Sequence, residues 1–354
     1  MATEESKAFK DKVMETINQS LVGMALGMAS EVGIIDALVH SDKAMTSYEV
    51  AGSKQLKERY VRELLNCLVC AHIVDAEKAD DLHLYRYSMS ESKKSVFAAN
   101  SLHFLGFICS TAARFQSLME CIQRDGPYDL PYNEAPAVVR TIGALSVSKA
   151  STEMDIMLQY VPGLKENLEN GIKVIECGCG TALLISRLAQ QFPNSTFTGS
   201  DNSKLSIQQA KLAASALNVP NLNLIQLDAL NIPGDFHSQY DFVFVNDVIH
   251  DLSNPKRGLA EIKKLLKPGS YFAMIEIGVD SDVLVNRDVP GRDSLYSLST
   301  FLCVPQAYVS EESPGLGCCW GVDTARRYIH EAGYKVVSQH PFLENFIVFV
   351  CQAI

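Results

Sequence analysis

Apolar residues follow two different rhythms along the 354-residue chain. In the first half they recur every three or four positions. Residues 20–40, SLVGMALGMASEVGIIDALVH, carry one such stripe, which marks a single buried helical face. MTSYEVAGS follows, where Thr46 or Ser47 is placed to cap a helix and Glu49 to complete a capping box. KERYVRELLNCLVCAHIV is a second amphipathic helix. Beyond it, HIVDAEKADDLHLYRYSMS reads as two short strands about a polar turn at residues 78–81. Residues 96–170 stay helical and apolar except at DGPYDLPYNEAP, whose Pro and Gly forbid a continuous helix.

From residue 171 the rhythm changes. Short, β-branched, nearly continuously apolar runs (IKVIEC, STFTGSD, LNLIQLD, DFVFVND, YFAMIEI) alternate with helical ones (TALLISRLAQQF, SKLSIQQAKLAASALN, PKRGLAEIKKLLK). Strands of that kind have both faces covered by helices. The region therefore predicts a Rossmann-like, doubly wound α/β fold with a parallel core. Residues 278–320 read as a long irregular insertion. After helix DTARRYIHEAGY, the runs KVVSQH and FIVFVCQ predict an antiparallel pair that completes a seven-stranded sheet. The N-terminal order, three helical stretches and then a β-ribbon, is that of a winged helix. Turn signals at Pro162-Gly163 and Asn170-Gly171 suggest the division: a winged-helix/dimerisation domain over 1–95, a helical linker and substrate-lid region over 96–165, and the α/β domain over 166–354.

Charge narrows the partners. The formal net charge is -10, from 31 Lys+Arg against 41 Asp+Glu, which disfavours nucleic acid and anionic membrane. Residues 1–95 themselves hold fewer basic than acidic side chains, so the winged helix is expected to build a homodimer or a substrate lid and not to read DNA. No run reaches the ~18 apolar residues of a membrane span, and MATEESKAFKDKV lacks the pattern of a secretory signal. The cysteines, scattered mostly in apolar runs, imply a reduced cytoplasmic protein. Cys67-x-x-Cys70 has no second pair at zinc spacing, and Cys318-Cys319 is too tight for an ordinary bridge.

The chemistry gathers at strand ends. KVIECGCGTA places Glu176 at the end of a strand and Gly178 and Gly180 in the turn after it, where backbone can approach a ligand closely. The dinucleotide fingerprint fails, because Leu183 stands where its third glycine belongs, and a phosphate-binding P-loop is absent. An acid beside the turn repels a pyrophosphate but favours a ligand carrying a sulfonium and an ammonium. Asp201, with Asn202 beside it, ends the second strand and can accept ribose hydroxyls. Asp228 and Ala229 end the third and can meet an adenine edge. Asn246 and Asp247 end the fourth. Each carboxylate alone also suits a helix cap or a turn; together they mark a crevice.

VIECGCGTA, TGSDNS, LDAL and NDVIHDLSNPKRGLAEIKKLLKPG resemble the ordered motifs of class I S-adenosylmethionine-dependent methyltransferases. With GPYDLPYNEAP and SLYSLSTFLCVPQAY…GLGCCWG…EAGY included, nearly the whole chain is similar to a family that joins a winged helix to that domain. That family is related to the plant-like small-molecule O-methyltransferases. The resemblance implies S-adenosyl-L-methionine as cofactor and a small-molecule acceptor, with O-methylation ahead of N- or S-methylation. Ala182 departs from it, standing where glycine or another small residue is usual. His250, in VIHDL, matches the histidine that serves as general base in the plant-like relatives, and Glu276 matches an acid that orients it. A second orienting acid has no clear counterpart near residues 317–323. His250 capping a helix, or lining the cofactor pocket, without moving a proton is the other reading of that residue. Those relatives are metal-free, so no metal is expected, although Asn246, Asp247 and Asp251 could group around magnesium. The alternative for the whole protein is a non-catalytic regulatory or binding protein that keeps the cofactor fold and works through its winged helix.

Overall fold

The computed structural model describes residues 3–79, 85–98, 105–132 and 135–354. The chain forms two compact units, residues 1–113 and 114–354.

The first unit opens with α1 (Glu4–Glu31), where the Thr3 side chain accepts from the Ser6 amide and Glu4 and Glu5 sit at the positive end of the helix. The apolar stripe of residues 20–40 is split between two helices: Gly33, at φ 81, breaks the chain and starts α2 (Ile34–Val39). β1 (Met45–Thr46) leads into α3 (Ser47–Lys54), capped by Thr46 with both arms of the capping box to Glu49 formed. α4 (Glu58–Cys70) buries Val61, Leu65 and Leu68, a single face at helical spacing. β2 (Asp75–Lys78) and β3 (Tyr85–Ser88) pair antiparallel, and β1 adds to β3, which makes the wing. The turn expected at 78–81 lies partly outside the described residues. α5 (Glu91–Ala98) and α6 (Leu105–Ala112) follow. Ile34, Leu38, Val50, Leu65 and Tyr87 form the core, and buried Tyr87 satisfies its hydroxyl by donating to Asn66 Oδ1 at 2.7 Å.

The second unit starts with α7 (Phe115–Ile122), α8 (Pro136–Tyr160) and α9 (Leu164–Asn170). Then come β4 (Lys173–Cys177), α10 (Leu183–Gln191), β5 (Thr196–Asp201), α11 (Lys204–Leu217), β6 (Leu222–Gln226), β7 (Tyr240–Asn246), α12 (Pro255–Leu265) and β8 (Leu266–Ile277). Residues 278–320 are less irregular than their Ser, Thr and Pro content suggests. They hold α13 (Val283–Asn286), α14 (Arg292–Leu298), a π-helical turn over Ser299–Cys303, and α15 (Val304–Ala307). Helices of four to seven residues bounded by Gly291 and Pro305 are too short to leave a periodic trace. α16 (Val322–Glu331), β9 (Tyr334–Phe342) and β10 (Phe346–Ala353) end the chain.

The seven strands lie in the order β6-β5-β4-β7-β8-β10-β9. They run parallel from β6 to β8, while β10 pairs antiparallel with both β8 and β9. Apolar clusters cover both faces: Leu184, Ile185, Phe197 and Phe244 belong to one, Val243, Leu259, Phe272 and Ile329 to the other. Chain direction across the sheet reverses between β4 and β7, and the carboxyl ends of these strands open the crevice where such sheets bind ligands.

Candidate active site

The glycine turn is held by the neighbouring strand. Gly178 N and Cys179 N both donate to Ser200 O, at 2.7 and 2.8 Å. Gly180 N donates to Asp201 Oδ2 at 2.9 Å, and Ser203 N to Asp201 Oδ1 at 2.8 Å. Asp201 thus ties the loop to β5, and each of its oxygens keeps a further lone pair for a hydroxyl. Burial pushes its carboxyl above the usual range. The two glycines differ in kind. At Gly178, with φ +77, a Cβ would stand 2.3 Å from Val248 Cγ2; at Gly180, with φ +54, it would meet nothing within 4 Å. Buried Ala182 also lies in the left-handed region, at φ 59, as the N-cap of α10. That backbone explains why glycine is the usual choice there.

Carboxylates crowd the mouth of this crevice. Glu176 is 3% exposed, and burial raises its pKa well above the ordinary value, with Glu153 adding to the rise. Glu153 and Lys149, both on α8, are buried as well. Lys149 Nζ meets Asp247 Oδ2 at 2.5 Å and lies 3.3 Å from Glu153 Oε1. It also sits 4.2 Å from the centre of the Phe346 ring. Burial alone would lower the Lys149 pKa, but Asp247 and Glu153 outweigh it and hold the ammonium charged. Glu153 goes the other way: burial raises it despite Lys149. Glu153 faces the Lys149 ammonium and the Asn246 side chain, whereas three buried oxygens here have no hydrogen-bond partner: Glu176 Oε2, Asn246 Oδ1 and Asp247 Oδ1. Such atoms each cost on the order of 1–3 kcal/mol unless something donates to them.

The remaining sequence candidates lie on the same edge. The Asn202 carbonyl accepts from Gln226 Nε2 at 2.9 Å. Asp228 is exposed after β6 and its Oδ1 accepts from Leu230 N at 2.9 Å, while Ala229 packs into the core beneath.

His250 sits on a 3₁₀ turn after β7 and is 3% exposed. Its Nδ1 is 2.5 Å from Glu276 Oε2, and the other Glu276 oxygen accepts from Ile249 N at 2.9 Å. Glu276 is thereby fixed at both oxygens, and a donating Nδ1–H leaves Nε2 as the free base. Nε2 stands 3.4 Å from Asp251 Oδ1. Asp251 is a second acid at this imidazole, on the side opposite Glu276. It is pushed up to about 6 by burial, against the opposing pull of His250 and Tyr132. Burial alone would lower the His250 pKa, but Glu276 and Asp251 outweigh it and raise it well above 6.5. Tyr132 donates to Asp251 Oδ2. The segment bearing it is pinned to α15: Leu130 N donates to Pro305 O and Tyr132 N to Gln306 Oε1, both at 2.9 Å.

Lys149, Glu153 and Tyr132 escape a reading of the sequence. Lys149 and Glu153, four apart on a helix, look like an ordinary solvated pair, and only burial sets them apart.

A methyltransferase-domain family model matches residues 168–333, and an Rv2258c-like winged HTH domain model matches residues 20–97. Phthiotriol/phenolphthiotriol dimycocerosates methyltransferase of Mycobacterium tuberculosis is 27% identical over 161 residues, 46% of this chain and 53% of its own. Trans-aconitate 2-methyltransferase of Deinococcus radiodurans is 32% identical over 102 residues, 29% of this chain and 36% of its own. The chain therefore spans about half the length of these curated relatives or less. Mitomycin 7-O-methyltransferase MmcR superposes with a TM-score of 0.74 at 16% identity, over 99% of this chain and 100% of its own. Human N-acetylserotonin methyltransferase, in complex with SAM, gives 0.66 at 18% identity, over 100% and 99%. At these identities the likeness is one of fold. By its matched domains and their order, the chain joins an N-terminal winged helix-turn-helix domain to a methyltransferase domain.

Proposed function

We propose that the protein is an S-adenosylmethionine-dependent methyltransferase that acts on a hydroxyl of a small molecule. One observation carries this reading: the buried, unpartnered acceptors at the ends of β4 and β7 lie beside an imidazole whose Nδ1 is already committed to Glu276. The acceptor set fits a ligand that brings an ammonium, a sulfonium and ribose hydroxyls. Glu153, Glu176, Asn246 and Asp247 would take its cationic end, and Asp201 its ribose, with Gly178 and Gly180 letting backbone come close. When bound, S-adenosylmethionine supplies a methyl already activated by the sulfonium.

The chain's own residues then have a short task. Holding the acceptor in line with the methyl supplies much of the rate. His250 Nε2 takes the hydroxyl proton, Glu276 steadies the imidazolium, and Tyr132 holds Asp251 in place beside it. The regulatory, non-catalytic reading has no specific observation in its favour. Labelled S-adenosylmethionine, the protein and a metabolite extract, mixed in the presence of a chelator, test the proposal. Label is expected in an extractable small molecule, and His250→Ala is expected to slow transfer by ~10²–10⁴-fold with cofactor affinity nearly unchanged. A mutant with near-full turnover would point to an amine or thiol acceptor moved by proximity alone.

We also propose that the first unit serves a homodimer. On α1 the apolar side chains of Phe9, Ile17, Leu21, Met24 and Met28 are exposed at spacings that keep them on one face. A second copy of the chain would cover that stripe. Among the described residues no helix is long and apolar enough to cross a membrane.

A further inference from the structure

A thiol stands beside the base. Cys303 ends the π-helical turn over Ser299–Cys303. Its Sγ, a ring nitrogen of His250 and a carboxylate oxygen of Asp251 all lie within 4.8 Å of one another. Nothing in the transfer reaction calls for a thiol there.

The three groups are close enough to share one ion, with the Cys303 thiol also within hydrogen-bond reach of Cys318. Nδ1 of His250 is held by Glu276, so in the neutral ring Nε2 carries the lone pair. A carboxylate behind an imidazole in this way is the arrangement that orients histidine ligands toward metals. Asp251 Oδ2 is taken by Tyr132, while Oδ1 is buried, without a hydrogen-bond partner, and 3.4 Å from Nε2. Nitrogen and oxygen ligands at ~2.0–2.2 Å on a tetrahedral ion stand ~3.4 Å apart, so this edge already has the right length. Closing a thiolate onto the same ion at ~2.3 Å needs a shift of Cys303 on the order of 1 Å. A second grouping, Asp247, His250 and Glu276, also lies within reach. It fails on chemistry: Nδ1 is engaged by Glu276, Asp247 is paired with Lys149, and no thiol is present.

We propose that Cys303, His250 and Asp251 form a binding site for a thiophilic divalent cation of the Zn²⁺ class, and that its occupancy blocks methyl transfer. One thiolate, one imidazole and one carboxylate select such an ion over magnesium or calcium, which prefer oxygen alone. On binding, bonds from the ion to Sγ, Nε2 and Oδ1 replace bonds to water; the Cys303 proton, and the Nε2 proton where the ring is charged, leave to solvent, and nothing is oxidised or reduced. The ion occupies Nε2, the atom that would accept the substrate proton, so it acts as an inhibitor and not as a cofactor. Binding does not rest on the methyltransferase reading; the block does.

The test uses Co²⁺ as the probe, added to the metal-stripped full-length protein under anaerobic conditions. One equivalent is expected to give the strong visible bands of four-coordinate Co²⁺ and a near-ultraviolet sulfur-to-cobalt charge-transfer band, both erased by Zn²⁺. Cys303→Ser is expected to lose the charge-transfer band and bind Zn²⁺ at least ~100-fold more weakly, since even groups behind the ligands are worth ~10–100-fold. Cys70→Ser should change neither. Absence of the band, or a band that survives Cys303→Ser, overturns the site. Should Cys303→Ser not fold, alkylation of the wild type followed by peptide mass spectrometry decides: Zn²⁺ must slow modification of Cys303, and equal labelling with and without Zn²⁺ rejects the proposal. Where turnover is measurable, Zn²⁺ should inhibit the wild type and spare Cys303→Ser.

Discussion

Replacing Glu276 by Gln keeps the shape and an acceptor for His250 Nδ1 but removes the charge 2.5 Å away. With both charges delocalised, an effective separation of ~4 Å and an effective dielectric of ~20 give ~4 kcal/mol. At 1.36 kcal/mol per unit, that is an upper bound of ~3 pKa units. Glu276 and Asp251 are the neighbours that hold the His250 pKa above 6.5 against burial. Its neutral form is the base, so activity should rise with pH through an apparent pKa above 6.5, and fall as acid protonates the ring. In Glu276→Gln that rise should move down by about 1–3 units. His250 and Asp251 are close enough to titrate together, so the value belongs to the pair. Imidazole NMR of selectively labelled protein, with chelator present and His250→Gln to assign the signal, reads the shift without any methyl acceptor. The pH–rate profile reads it once an acceptor is found. An unmoved titration in Glu276→Gln would refute the claim that Glu276 sets the charge on this imidazole.

Three further outcomes are expected. Gly178→Ala should destabilise the fold by more than ~2 kcal/mol, since a Cβ would press on Val248 in a left-handed backbone, whereas Gly180→Ala should cost only the ~1–2 kcal/mol of the backbone; denaturant unfolding compares the two. Light scattering at micromolar concentration should give a dimer, and Leu21→Glu on the exposed α1 stripe should shift it toward monomer; a wild-type monomer would dismiss that surface. Duplex DNA should show no affinity that falls steeply with salt, the slope that reports phosphate neutralisation.

The sheet was readable because each parallel strand is a short apolar run between amphipathic helices, and residues such as 241–246 admit no other environment. The site was readable only where its residues stand at strand ends. Glu176, Asp201, Asn246 and Glu276 follow directly from the strand pattern, and His250 from its place just beyond β7 and from the resemblance. Lys149 and Glu153 do not, because their meaning depends on α8 packing inward at that turn. Cys303 does not either: a cysteine in LSTFLCVP looks like core filling until the π-helical turn brings its sulfur to His250. Asp251 sits next to His250 in the sequence, yet its role depends on Tyr132, which arrives from 119 residues away.

S-adenosylmethionine is expected to bind among the acceptors around the glycine turn: Glu176, Asn246 and Asp247 at the ends of β4 and β7, Asp201 at the end of β5, and Glu153 of α8. Calorimetric titration of S-adenosylmethionine and S-adenosylhomocysteine into the wild type, Asp201→Ala and Glu153→Gln tests it most directly. Saturable one-to-one binding is expected, weakened by ~1–3 kcal/mol in Asp201→Ala, the scale of hydrogen bonds to a charged group. Glu153→Gln should weaken binding as well. No heat of binding in the wild type, or affinity untouched by either substitution, would contradict the account.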